Sequence, residues 1–173
     1  MTVALEVCRL LTLPFSALGA LIAGLLDTTV TPELPAEVNI VFVFAVSAAM
    51  LLTVEDGFVW ATVGGLTIDI LTPGRPLGTT TLAMLLVVGL AIVAGRAIGQ
   101  RRAPVAVVAV FLLTWLLHAV VLLTLVVVEG VSPGTFEIRL VLISAIINSV
   151  IAIPVALVLR AVARRFVEDR ADW

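Results

Sequence analysis

The chain has 173 residues, 62% hydrophobic and 13% charged, with a formal net charge of −2. Soluble domains are about 45–50% apolar, and a mean hydropathy of +1.27 is more apolar surface than a domain of this size can hide from water, so a bilayer must solvate most of the chain. The lone Cys8 excludes an internal disulfide and argues against a thiolate metal site, and no nucleic-acid partner is expected.

In chain order, apolar runs separated by charge or by Pro/Gly clusters predict six spans in one all-α transmembrane domain. The first is Val3–Leu26. Its opening, "MTVALEVCRL", has Glu6 beside Arg9 and no basic leader, so it reads as a retained span. Ser16, Ala20 and Gly24 recur there at four-residue steps, a row of small residues where another helix can approach. "DTTVTPELPAEVN" follows as an outer turn.

The second span, Val38–Val54, is short but uncharged, and Glu55 and Asp56 are expected in an inner loop behind it. The third, Gly57–Thr72, has 16 residues, about 24 Å of helix, and a re-entrant segment is the alternative. In it Gly57, Ala61, Gly65 and Asp69 form one row, with the carboxylate near the outer end. Asp69 is expected to pair with Arg75 across the "TPGRP" turn, to bind backbone amides there, or to contact a partner.

The fourth span, Thr79–Ile98, follows Gly78 and ends in the row Ala91, Gly95 and Gly99. The fifth, Val105–Val128, holds Thr114 and His118 one turn apart, and the sixth, Leu140–Leu159, holds Ser144 and Asn148. These four polar side chains are expected to form a hydrogen-bonded cluster between the two spans, and Pro154 to kink the sixth. Residues 160–173 read as a short cytoplasmic tail whose arginines meet anionic headgroups.

All ten basic residues are arginines. Six crossings with both termini in the cytoplasm put eight inside and leave only Arg75 and Arg139 outside, in line with the positive-inside rule. Catalytic signatures are missing. Ser144 sits in "LISAI" without a glycine turn or oxyanion donors, one histidine cannot build a metal site, and "GGLTID" lacks the lysine and spacing of a phosphate loop. The expectation is a protein with neither enzymatic activity nor a cofactor.

The stretch "GFVWATVGGLTIDILTPGRPLGTTTL" resembles the signature of the bacterial rod shape-determining protein MreD family, with Gly65, Leu66, Asp69 and Gly78 at the positions of its G-L-x-x-D element and following glycine. The ending "NSVIAIPVALVLRAVARR" is similar too, with Asn148 and Pro154 in matching places, while the proline-flanked "TPGRP" departs from the serine- or glycine-rich turn of many members. The resemblance implies a six-span inner-membrane scaffold of the cell-elongation machinery. It would hold the transmembrane helix of an MreC-like bitopic protein and act with the MreB filament, the RodA glycosyltransferase and its paired penicillin-binding transpeptidase in side-wall peptidoglycan synthesis. The small-residue rows are candidates for internal packing, and the resemblance would make them docking faces of the scaffold. The alternative is a substrate-binding subunit of an energy-coupling-factor vitamin transporter, whose fold looks similar and whose small-residue docking helix Ser16–Ala20–Gly24 resembles. The absence of tyrosine argues against capture of a small polar vitamin.

Overall fold

The computed structural model describes residues 2–30, 38–72, 76–98, 103–130 and 137–168. Among these the chain is helical throughout, without a strand: α1 Thr2–Val30, α2 Ile40–Leu51, α3 Val54–Val59, a π-helical turn Trp60–Gly64, α4 Gly65–Leu71, α5 Thr79–Ile98, α6 Ala103–Glu129 and α7 Ile138–Glu168. Helices alone satisfy every backbone group within the segment, as a lipid environment demands.

Three helices among the described residues are long and apolar enough to cross a membrane: Thr79–Arg96, Pro104–Val128 and Ile138–Val162. They match the fourth, fifth and sixth expected spans. The apolar stretches Pro14–Thr29 of α1 and Ile40–Leu51 are shorter. The second span is corrected most: its helix has 12 residues, a rise of about 18 Å, against about 30 Å of hydrocarbon. Thr53 then caps a new helix, its hydroxyl accepting from the Asp56 amide at 3.1 Å. The third segment therefore begins earlier than expected, at Val54, and runs through the π turn to Leu71.

Close approaches give the path of the chain. Ser16 of α1 bonds to Asp56, and Gly24 lies against Thr67 and the Gly64 carbonyl, so α1 runs parallel to α3–α4. Gly57 abuts Ala49 and Gly64 abuts Val41, so α2 runs antiparallel to them. Gly65 meets Thr81, and Gly95 meets Met50, so α5 runs parallel to α2. Asn148 of α7 meets Asn39 at the start of α2. Past it Ala152, Val155 and Ala156 join the core around α2, whereas the buried Val141 and Ala145 before it do not, so α7 runs the same way as α2.

The short helix α2 is the centre of the bundle. Its sequence, "IVFVFAVSAAML", is apolar on every side, the pattern of a helix covered all round. It packs against α1, α3, the π turn, α5, α6 and α7, with Val41, Phe42, Val43, Ala45, Val46 and Ala48 fully buried. Phe44 stacks on Trp60 with ring centroids 4.7 Å apart. The outward side chains, such as Phe15, Leu82, Leu112 and Val150, are exposed and apolar, as lipid-facing positions are. Gly89 of α5 has open space where a Cβ would stand. Gly89→Ala is therefore expected to raise thermal stability by up to about 1 kcal/mol through helix propensity alone, read as a higher unfolding midpoint in detergent.

Candidate functional site

Three buried aspartates organise the bundle, each bonded near the start of a helix. Asp69 is the most heavily used. From the end of α4 its Oδ2 accepts the Gly78 amide at 3.1 Å, the Thr81 amide at 3.0 Å and the Thr81 hydroxyl at 2.7 Å, while Oδ1 accepts the Thr80 amide at 2.9 Å. The first amides of a helix have no intrahelical acceptor, and a negative charge there is further favoured by the helix dipole. Of the three expected roles, the structure places Asp69 on backbone amides; Arg75 lies outside the described residues. Gly78 has φ +95°, a conformation that side chains disfavour, and this lets its amide turn back to the carboxylate.

Asp27 does the same for α2. Its two oxygens accept the Ile40 amide at 2.8 Å and the Val41 amide at 2.9 Å, and Asn39 Oδ1 accepts the Phe42 amide at 2.8 Å. The sequence reading placed Asp27 in an outer turn; it belongs instead to α1 and is buried. Asp56, expected in an inner loop, is also buried and lies in α3. It accepts the Thr53 hydroxyl at 2.7 Å and the Ser16 hydroxyl at 2.8 Å, tying α1 to the start of α3. The Thr53–Asp56 spacing is that of a capping box and was the available signal for this site. For Asp27 only an acidic residue at a helix end, with Asn39 far along the chain, hinted at a cap.

The small-residue rows face inward. Gly57, Ala61, Gly65 and Asp69 are all buried, as are Ala20 and Gly24, and Ser16 is half-buried. A Cβ on Gly65 would stand 2.8 Å from Thr81 Cα, and one on Gly24 2.9 Å from Thr67 Cβ. Ala91 is buried and Gly95 faces Met50, while Gly99 lies outside the described residues. Two roles were open to these rows, internal packing and the docking of a partner's helix; the close approaches above are internal packing by helices of the same chain. In particular the Ser16–Ala20–Gly24 row is not open for docking on a transport partner.

The polar side chains of the last two helices divide. The Thr114 hydroxyl donates to the Val110 carbonyl at 2.8 Å, and His118 Nδ1 lies 2.8 Å from the Thr114 carbonyl, both within α6. Asn148 reaches from α7 to the centre, its Oδ1 accepting the Asn39 amide at 3.1 Å. Ser144 is buried on α7. Three of the four residues expected to cluster thus make backbone contacts, and that of Asn148 secures the start of α2. Among the described residues no three His, Cys, Asp or Glu side chains stand together to hold a metal ion.

The site is therefore a set of buried aspartates within an all-helical membrane protein: Asp27 and Asp69 each take the first amides of another helix, and Asp56 ties α1 to the start of its own. Comparisons with protein-family models, with curated proteins and with solved structures found no match.

Proposed function

We propose that this chain is a non-enzymatic, MreD-like scaffold of the cell-elongation machinery, seated in a bacterial inner membrane and gripping the transmembrane helix of an MreC-like bitopic protein. The observation carrying this reading is the physical unity of the resembling segment. Gly65, Asp69 and Gly78 are neighbours in one joint: Gly65 admits α5 closely, Asp69 takes its first amides, and Gly78 supplies the turn. A motif spread over fourteen positions thereby acts as a single device for fixing two helices.

In this reading α1, α2, α3–α4, α5, α6 and α7 would make six crossings in turn with both termini in the cytoplasm, α2 supplying about 18 Å of the second. Because the small-residue rows are filled internally, the partner's helix would lie against the outward apolar faces. The MreB filament, RodA and its transpeptidase would be reached through that partner. Coexpression with an MreC-like protein, followed by affinity capture through this chain in mild detergent, tests the reading. Capture of the partner at near-equal amounts is expected. A purified chain that ignores the partner and retains a vitamin would replace the scaffold with the transporter subunit.

A further inference from the structure

Seven of the ten arginines come after the apolar part of α5 or of α7, and the fold sets the first of each group at one height. The bond from the Asn39 amide to Asn148 Oδ1 sets the starts of the two stretches level, and the packing of Ala152, Val155 and Ala156 into the core around α2 shows that α7 runs on from it in the direction of α2. About 18 Å further along, at about 1.5 Å per residue, Leu51 on α2 and Arg160 on α7 lie level. On α5 a Cβ at Gly95 would stand 3.6 Å from Met50 Cε, so Arg96 reaches the same height.

Arg96 is exposed and Arg160 half-buried, and neither has an ion-pair partner among the described residues. Arg164 and Arg165 follow on the next turn of α7, and Arg101 and Arg102 follow α5 in the chain. Among the described residues the acidic groups at this end are Glu6 on α1, Glu55, Asp56, and Glu168 at the end of α7. Glu55 is exposed and has an interaction of its own, and Asp56 is engaged by Ser16 and Thr53. Against them stand Arg9, Arg96, Arg160, Arg164 and Arg165. Toward the other end of α7, Arg139 is exposed about 32 Å from Arg160. That separation matches the hydrocarbon thickness of a bilayer.

We propose that the Arg96–Arg160 end of the bundle binds anionic phospholipid headgroups, which hold the bundle at a fixed depth. Guanidinium groups pair with phosphate through parallel N–H···O bonds, and arginines at one level on separate helices present them within one headgroup layer. Each basic residue near an anionic surface strengthens binding by about fivefold.

The test is native mass spectrometry of the full chain after delipidation, exposed to equal phosphatidylglycerol and phosphatidylcholine. Retention of phosphatidylglycerol is expected in clear preference. Arg160→Gln/Arg164→Gln/Arg165→Gln should reduce that preference about a hundredfold, and Arg96→Gln alone about fivefold, with thermal unfolding in phosphatidylcholine nanodiscs unchanged. Should the triple variant not fold, Arg160→Gln alone reads the same preference. Equal retention of both lipids by the parent chain would overturn the proposal and leave this surface to an acidic protein segment. So would variants that keep the parent's preference.

Discussion

Asp69→Ala is expected to cost about 3 kcal/mol of stability, seen as a fall of about 10 °C in the thermal unfolding midpoint in detergent. The carboxylate accepts three amides and one hydroxyl at the start of α5. A single helix cap is worth about 0.5–2 kcal/mol, but hydrogen bonds to a charged acceptor are stronger, and the Thr80 amide is too deeply buried to recruit water instead. Asp69→Asn should cost about half as much, because its one carbonyl oxygen can serve two of the four donors. A variant that unfolds with the parent would show that the joint between α4 and α5 stands without the carboxylate. Its value would then lie in contact with another molecule.

The reach of sequence reasoning can be followed residue by residue. Apolar run length identified α5, α6 and α7, because long helices in lipid carry few charges and each is bounded by arginine, proline or glycine. It failed at α2. A central helix only 12 residues long reads like a full span when the flanking Leu52, Thr53 and Val54 are uncharged too. The distinction rests on Thr53 turning back to cap α3, a local competition that hydropathy does not register. The inward row of Gly57, Ala61, Gly65 and Asp69 was legible as a row, but its destination was not. The π turn at Trp60–Gly64 adds a residue to one turn and so changes the phase between its two ends. It lets Asp56 and Gly57 face α1 and α2 while Gly65 and Asp69 face α5.

The aspartates teach a related lesson. An acidic residue costs about 2.5–3.5 kcal/mol at the centre of a membrane, so intramembrane carboxylates are read first as binding or transport groups. Here the acceptors match donors within the chain. Asp27 lies 13 and 14 residues from the amides it holds, and Asp69 lies 9 to 12 from its own. Such separations carry no periodic signal, since they span a turn whose length is free. Only the supporting residues were local enough to read: Asn39, Thr53 and the glycine at position 78.

Gly65→Leu carries the second large effect, and it separates internal packing from partner binding. Were Gly65 part of an open groove, leucine would spare the fold and weaken only the hold on a partner. The built Cβ position instead stands 2.8 Å from Thr81 Cα and 3.3 Å from its amide nitrogen. Backbone cannot rotate away as a side chain can, so α5 must move outward. Movement of α5 draws Thr80 and Thr81 off Asp69, so the packing loss and the cap loss come together. A penalty above about 3 kcal/mol is expected, in the range of overpacking plus a lost cap. Gly65→Ala should already cost about 1–2 kcal/mol, the contact outweighing the gain of about 1 kcal/mol in helix propensity. Because the two substitutions share a mechanism with Asp69→Ala, Gly65→Leu combined with Asp69→Ala should cost well under the sum of the singles. Unfolding midpoints for the three variants in one detergent measure that coupling. Strict additivity would mean that the glycine and the carboxylate act on α5 independently, and the joint between them would dissolve into two separate contacts.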